Sequence, residues 1–355
     1  MSTTDRKVSK ISTHLINGSP IILDGALATY LEMLGADVSG ALWSADVLIR
    51  NPELIKQAHL DYYHAGANVA ITASYQASLP GLNKHLGTSG EQVKDLVKRS
   101  VKLAQDARQE YVAETMAALG EEGKKAILEN GLSLEEYEGS VGEKLFVAGS
   151  VGPYGAFLAD GSEYRGDYSL LKDDMKNFHR GRIQALVEAG VDILACETIP
   201  SKAETEALLD LLVTEFPNTE VWFSFTLRNG QQISDGTPLT EIAHLFDGAQ
   251  QVVAVGLNCV PDDLGLAALR VLAPLVNRGT LIIYPNSGEQ WNAQAREWEG
   301  QRTEGSTLAE KTVEWWSAGA GMIGGCCRTT PDDIGVMRKA LEPFDDRRRH
   351  RIRTT

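Results

Sequence analysis

The chain has 355 residues, 43% of them hydrophobic, and a formal net charge of −14, so it holds enough apolar material for one large core or two smaller ones. The acidic balance argues against nucleic acid as a partner, and no run approaches the ~20 apolar residues of a membrane span. A polar N-terminus without a signal peptide and only four cysteines predict a cytoplasmic protein that acts on small molecules, with thiols that serve as metal ligands or catalysts.

Eight short runs predict buried strands. They are near-continuous apolar segments rather than clean alternations, which is typical of parallel strands covered on both faces. In chain order the runs are 20–24, 67–74, 145–151, 191–197, 220–226, 251–259, 280–286 and 320–327.

Helical patterns separate these runs, at 52–64, 91–119, 171–189, 202–214, 239–247, 262–276 and 307–318, and a last helix begins at Thr330. Eight strand-plus-helix units in order predict an α/β fold, a (β/α)8 TIM barrel that forms a single domain over 10–342. The alternative is a doubly wound open sheet. That fold would place a glycine-rich nucleotide loop after the first strand, and residues 24–28 have no such motif.

Two segments fit no barrel unit. Residues 120–144 are rich in Glu, Gly and Lys, and we expect an insertion between the second helix and the third strand, far from the active site. Residues 343–355 are basic. A disordered, solvated tail is the expected form, and a targeting or anionic-surface element is the alternative.

Three cysteines are predicted to meet at one end of the barrel. Cys259 ends the sixth run, and Cys326 and Cys327 end the eighth. The active site of such a barrel lies at the C-terminal ends of its strands. Three thiolates leave one ligand position of zinc free, as in catalytic sites, so the pattern predicts one Zn²⁺ per chain. A vicinal disulfide or redox switch remains an alternative for the pair, and a buried apolar role remains one for Cys259.

Two carboxylates end the first and fourth strands. Asp24 and Glu197 are candidates for metal ligands, acid–base groups or anchors for an ammonium group. Side chains alternate along a strand. If Glu197 points into the mouth, Cys196 therefore faces the helices as a core residue and not as a ligand.

Longer motifs resemble the zinc-dependent homocysteine S-methyltransferases. They are GGCCRTTP at 324–331, GLNC at 256–259, CETIP at 196–200 and GSVGPYG at 149–155. The segments 159–164 and 284–289 are similar to the branch of that family that uses S-methylmethionine. The resemblance covers about 22–341, nearly the whole chain, and it implies a (β/α)8 barrel with zinc held by three cysteines, here Cys259, Cys326 and Cys327.

The resemblance also implies a binding site for homocysteine, with contacts at Asp24, Gly25, Ala26, Thr72 and Glu197. There is one departure. Betaine-using relatives have a tyrosine that occupies the free zinc position without substrate; this chain has Gln76 there, with Tyr75 one place earlier. The departure argues against betaine as the methyl donor.

The implied activity is a methyl transfer to homocysteine. Its zinc-bound thiolate would take the methyl group of S-methylmethionine, or of S-adenosylmethionine, by an SN2 step that gives methionine. Aromatic faces can hold a cationic sulfonium, and the candidates for that pocket are Tyr154, Tyr164, Trp43 and Trp291. A non-catalytic barrel stabilised by zinc and a thiol redox sensor are the alternatives.

Overall fold

The computed structural model describes residues 10–38, 43–78, 90–292 and 297–345. Eight parallel strands form one sheet in which each strand pairs with its neighbours in the chain and the first pairs with the last. They are β1 (Ile21–Ile22), β2 (Val69–Ile71), β3 (Phe146–Val151), β4 (Ile193–Ile199), β5 (Val221–Phe225), β6 (Val252–Asn258), β7 (Thr280–Tyr284) and β8 (Ala320–Ile323).

The sheet closes on itself between β1 and β2. Leu23 forms a parallel bridge with Val69, and the backbone N–H of Asp24 donates to the Val69 carbonyl at 3.0 Å. The predicted (β/α)8 barrel is therefore confirmed, and each of the eight strands overlaps its predicted run. Two short antiparallel ribbons in the loops were not predicted: Leu227–Asn229 with Gln232–Ile233, and Gln290–Asn292 with Glu297–Glu299.

Helices surround the barrel. They are α1 (Ile11–Asn17), α2 (Leu27–Met33), α3 (Trp43–Arg50), α4 (Pro52–His64), α5 (Gly90–Ala118), α6 (Glu121–Glu129), α7 (Leu134–Gly142), α8 (Tyr154–Leu158), α9 (Lys172–Glu188), α10 (Lys202–Glu215), α11 (Leu239–His244), α12 (Asp262–Leu272), α13 (Gly305–Ser317) and α14 (Pro331–Asp345). A short 3₁₀ helix spans Ser162–Tyr164. Within the described residues, no helix is both long and apolar enough to cross a bilayer.

The segment 120–144 contains two helices, α6 and α7. Helix α7 begins with a capping box in which Ser133 and Glu136 satisfy each other's backbone N–H groups. Helix α14 continues to Asp345, and the basic residues 346–355 lie outside the described part of the chain.

Alternation along the strands divides the apolar residues into two clusters. The inner one fills the barrel with side chains such as Phe146, Trp222 and Met322, and the outer one lies between strands and helices. Strand β4 contributes Ala195 inward and Cys196 outward. The prediction that Cys196 faces the helices is therefore confirmed.

Strand β4 changes register immediately after Cys196. Its pairing with β5 shifts between Cys196 and Ile199, and Thr198 has a φ of 61°, a left-handed conformation that is uncommon for a branched residue. Such a bulge bends a strand and re-aims a side chain, and bulges are frequent beside active sites. Here the shifted residues lie next to Glu197.

Helix α1 covers the N-terminal end of the barrel. Ile11 is fully buried in the inner cluster, and Ser12 donates to the Glu220 carboxylate through its backbone N–H and its hydroxyl. The ring of His14 meets that of Phe146 edge-on at 5.2 Å. The barrel is therefore plugged at the end opposite to the loops that follow the strands.

Candidate active site

The structure brings three thiols together at the C-terminal mouth of the barrel. The Sγ atoms of Cys259, Cys326 and Cys327 lie within 4.8 Å of one another, and those of Cys259 and Cys327 are 3.9 Å apart. A tetrahedral site with Zn–S bonds of about 2.3 Å places its sulfurs about 3.8 Å apart. The three residues thus fit a metal ion, and no other group of His, Cys, Asp and Glu side chains in the described residues does so.

The backbone around the vicinal cysteines turns across the mouth. Strand β8 ends at Ile323, so Cys326 and Cys327 lie in the following loop rather than at the strand tip that the sequence predicted. The N–H of Gly325 donates to the Asp24 carbonyl at 3.1 Å, and that of Cys326 donates to the Pro285 carbonyl at 2.7 Å. A Cβ on Gly325 would overlap the Thr329 side chain. Glycine is needed here because the loop lies against its neighbours.

The three thiols shift one another's pKa values. Hydrogen bonds from Cys259 and Cys326 lower the pKa of the Cys327 thiol well below its ordinary value. Hydrogen bonds with Cys259 and Cys327 raise the pKa of Cys326 well above it. The thiolate is the form that binds metal, and binding would displace the remaining protons.

Asp24 lies beside this loop at the end of β1. It is buried, its Oδ2 accepts the Ile71 N–H at 2.8 Å, and its Oδ1 has no partner within the described residues. Burial raises the pKa of the Asp24 carboxyl well above its ordinary value, the Ile71 N–H opposes this, and Glu197 adds to it. A cationic ligand would supply both the missing hydrogen bond and the compensating charge.

Glu197 lies across the mouth on β4 and is held at both oxygens. Its Oε1 accepts from the Ser150 hydroxyl, and its Oε2 accepts from the Tyr284 hydroxyl at 3.1 Å. Burial raises the pKa of Glu197 to about 7, although both hydrogen bonds lower it. The carboxylate therefore titrates near neutrality in the free site and would be ionised by a bound ammonium group.

Thr72, Gly25 and Ala26 also lie at this end of the barrel. The Thr72 hydroxyl accepts the Ser150 N–H at 3.0 Å, so it orders the end of β3, which carries a partner of Glu197. A Cβ on Gly25 would lie 2.8 Å from Thr329 Oγ1. The Ala26 N–H donates to Thr329 and is therefore already paired in this structure.

The aromatic candidates for the donor pocket are placed differently from one another. Tyr164 is 49% exposed. The charge of Cys259, burial and the charge of Cys327 raise its pKa well above the ordinary value. Tyr154 packs edge-on against Phe178 at 5.0 Å, within an aromatic cluster. The side chains of Trp43 and Trp291 lie outside the described part of the structure.

Gln76 stands where betaine-using relatives have a tyrosine, and the structure describes both Gln76 and the preceding Tyr75. The Tyr75 ring packs against Gly152. Burial, with an added effect of Cys259, raises the pKa of Tyr75 well above its ordinary value. Tyr75 is thus a partly buried residue packed on Gly152, and Gln76 has a buried Oε1 without a partner in the described chain.

Sequence reasoning gave no role to Ser150 and Tyr284, the hydrogen-bond donors to Glu197. Tyr284 ends the apolar run of β7, and its hydroxyl also accepts from Trp222 Nε1 at 3.0 Å inside the barrel. A tyrosine that ends a buried strand has a hydroxyl that needs a partner. This feature of the sequence could have indicated a polar contact for Tyr284 at the mouth.

Comparison with known proteins agrees with this site. A family model described as homocysteine S-methyltransferase matches residues 21–341. Homocysteine S-methyltransferase of Escherichia coli K12 is 47% identical over 318 residues, which are 90% of this chain and 94% of that protein. Homocysteine S-methyltransferase YbgG of Bacillus subtilis 168 is 42% identical over 325 residues, at 90% and 94% coverage.

Among solved structures, the metallated form of the homocysteine methyltransferase MmuM from Escherichia coli superposes with a TM-score of 0.76. The two chains are 45% identical, and the match covers 92% of this chain and 98% of that one. The shared sequence runs through the strands and loops that bring the thiols and carboxylates together. The chain therefore belongs to the homocysteine S-methyltransferase family, and it is a methyltransferase.

Proposed function

We propose that the chain transfers a methyl group from S-methylmethionine to homocysteine at a site where Cys259, Cys326 and Cys327 hold one Zn²⁺. The reaction breaks one S–CH₃ bond and forms another, so the two substrates give two molecules of methionine and the proton of the homocysteine thiol is released. S-Adenosylmethionine is the second donor to consider. The observation that carries the proposal is the cluster of three partly exposed thiols in one mouth with two buried carboxylates.

The acceptor must be a thiolate when it attacks. Cys259, Cys326 and Cys327 would hold the zinc ion, which would lower the pKa of a fourth, exogenous thiol so that it is nucleophilic at neutral pH. The chain's own part is to place that sulfur. Asp24 and Glu197 are buried acceptors that would bind the α-ammonium of homocysteine, and Ser150 and Tyr284 fix the carboxylate of Glu197.

The donor side needs no general acid, because a neutral thioether leaves. Attraction between a negative thiolate and a positive sulfonium is strongest where water is excluded. The half-exposed ring of Tyr164, whose pKa is raised by the charges of Cys259 and Cys327, is the aromatic face that would hold the cation. In-line positioning of sulfur against the methyl carbon would supply much of the rate.

The alternatives have less support. A structural zinc site would have a fourth protein ligand, and no such residue joins the three cysteines within the described chain. A redox sensor would use the thiols without a substrate site, which leaves the buried carboxylates at the same mouth unexplained. Metal-binding thiols also have to stay reduced, and this favours the cytoplasm as the location.

The test supplies purified, zinc-loaded protein with homocysteine and S-methylmethionine labelled in its methyl groups. We expect one zinc per chain and labelled methionine that requires homocysteine. Zinc without turnover would favour the structural barrel, and a reversible disulfide without stoichiometric zinc would favour the redox sensor. Competition between equal concentrations of S-methylmethionine and S-adenosylmethionine then ranks the donors, and we expect S-methylmethionine to be used first.

A further inference from the structure

Within the described chain, the buried side-chain oxygens that lack a hydrogen-bond donor lie at one end of the barrel. In the described residues the side-chain oxygens of this kind are Asp24 Oδ1, Gln76 Oε1, Glu163 Oε2 and Asn286 Oδ1. They lie at the end of β1 and in the loops after β2, β3 and β7. Buried acceptors are paired in nearly all folded proteins. Their grouping at the mouth indicates ligands that bring hydrogen-bond donors.

Two of these four residues are carboxylates, Asp24 and Glu163. Asp24 is already assigned to homocysteine, whereas Glu163 has no assigned ligand. It lies on the 3₁₀ helix Ser162–Tyr164. Its backbone carbonyl accepts the Thr226 hydroxyl at 3.0 Å, which holds it over the end of β5, and a Cβ on Gly155 would lie 2.5 Å from its backbone nitrogen. Its position is thus fixed from two sides, at the end of the barrel where the thiols also lie.

The charges around Glu163 leave room for a cation. Burial raises the pKa of Glu163, Asp160 adds to this and Arg165 opposes it. Arg165 itself pairs with Asp167 at 2.7 Å and lies near Asp160, so it is shared among carboxylates. Glu163 forms no ion pair within the described residues, and its Oε2 remains free.

The proposed reaction brings two amino acids into one mouth, and each carries an α-ammonium group. Asp24 and Glu197 serve the ammonium of homocysteine. We propose that Glu163 binds the α-ammonium group of the sulfonium donor and thereby selects donors that are amino acids. An ammonium offers three N–H donors to an unpaired carboxylate oxygen, whereas a sulfonium offers none. The inference rests on the proposed function, and it makes Glu163 a specificity-determining residue.

The test compares Glu163→Gln with the wild-type protein in steady-state kinetics. Loss of one charge-assisted hydrogen bond should raise the KM for S-methylmethionine by about 10- to 100-fold. The KM for homocysteine and the zinc content should not change, and they also report that the variant is folded. Glu138→Gln is the matched control, since it removes an exposed carboxylate on α7, away from Arg165 and the loop that carries Glu163; its KM for both substrates should equal that of the wild type.

A second donor separates the ammonium from the sulfonium. Dimethylsulfoniopropionate has the sulfonium and the carboxylate but no amino group, so wild type and Glu163→Gln should use it with equal kcat/KM. An equal loss with both donors would show that Glu163 acts on the sulfonium charge, and a raised KM for homocysteine would place it in the other subsite. Either result, or unchanged kinetics, overturns the inference. A wild-type protein that forms no methionine overturns the proposed function instead, and this inference with it.

Discussion

The side-chain amide of Asn258 holds Thr198 by two hydrogen bonds. Its Oδ1 accepts the Thr198 N–H at 2.7 Å, and its Nδ2 donates to Thr198 Oγ1 at 2.8 Å. Thr198 follows Glu197 and Asn258 precedes Cys259, and both Thr198 and Cys259 have left-handed backbone conformations, with φ of 61° and 51°. One side chain therefore fixes the distance between the thiol half of the site and the carboxylate half.

Removing this amide should misplace both halves. Asn258→Ala is expected to lower kcat/KM for homocysteine by about 10- to 100-fold, because small displacements of reacting groups have effects of this size. It should also lower the free energy of unfolding by about 1–3 kcal/mol, since two buried hydrogen bonds are lost. Kinetics and urea unfolding check the two effects.

Two further variants interpret that result. Asn258→Asp keeps the acceptor for the Thr198 N–H and should recover part of the loss. Asn229→Ala, at the exposed end of a ribbon strand, should leave kinetics unchanged. If folded Asn258→Ala had the kcat/KM of the wild type, the two halves would not depend on this contact.

Replacement of each cysteine should have an effect that depends on whether its side chain lies at the mouth or faces the helices. Single Ala variants of Cys259, Cys326 and Cys327 are expected to lose most bound zinc and nearly all activity. The barrel should stay folded, because its core consists of apolar side chains whose packing does not depend on a metal. Cys196→Ala should keep the zinc and most activity, at a stability loss on the order of 1 kcal/mol for a small cavity. Metal analysis with circular dichroism measures both, and zinc loss in Cys196→Ala would contradict its outward direction.

Glu197 should give homocysteine binding a pH dependence near neutrality. Its pKa of about 7 is raised by burial, so the carboxyl becomes protonated as the pH falls and loses its charge attraction for the ammonium. Between pH 7 and pH 6, kcat/KM for homocysteine should fall by about fivefold on this account. Glu197→Gln should have weaker binding at all pH values, full zinc content and none of this fall, so the ratio of the two profiles isolates the carboxyl from the thiol titration.

Tyr284 should set the midpoint of that profile. Its hydroxyl donates to Glu197 and lowers the pKa of the carboxyl. Tyr284→Phe removes the donor but keeps the ring, and the midpoint of kcat/KM should move to higher pH with the zinc content unchanged. A midpoint that stays at the wild-type value would mean that Ser150 alone stabilises the ionised form.

His59 should make the fold sensitive to acid. It is fully buried on α4, both ring nitrogens lack partners within the described residues, and burial lowers its pKa to about 4. An unfolded histidine has a pKa near 6.5, so the unfolded chain binds more protons and stability is lost as the pH falls from 6.5 towards 4. The loss at pH 5 is about 2 kcal/mol.

Urea unfolding at pH 7.5 and pH 5 tests this sensitivity. His59→Leu should lack the additional loss at pH 5, and His244→Gln, which alters an exposed histidine, should behave as the wild type. An identical pH dependence in all three proteins would show that His59 does not titrate in this way.

The barrel could be predicted from the sequence because its strands are continuous apolar runs with helical patterns between them. The meeting of Cys259 with the vicinal pair followed from the rule that strand ends share one mouth. The end of β8 could not be predicted, because Cys326 is drawn out of the strand by a hydrogen bond to Pro285, more than 40 residues earlier in the chain.

The contacts of the site depended on features that local sequence does not encode. The bulge in β4 is held by Asn258 from another strand, so alternation gives the direction of Cys196 but not that of Ile199. Within the described chain, Glu163 Oε2 has no hydrogen-bond partner because of how the surrounding loops pack, which local sequence does not encode. The sequence therefore predicts the thiols and carboxylates of the site. Their hydrogen-bond partners depend on how distant segments pack against one another.

The plug formed by α1 has a kinetic consequence. Ile11 and the Ser12–Glu220 contact close the N-terminal end of the barrel. Substrates and products must therefore enter and leave through the C-terminal mouth. Both substrates must be present together for a direct transfer, and both products of S-methylmethionine turnover are methionine. Methionine can therefore return to either subsite, and product inhibition should compete with both substrates and slow the enzyme as its product accumulates.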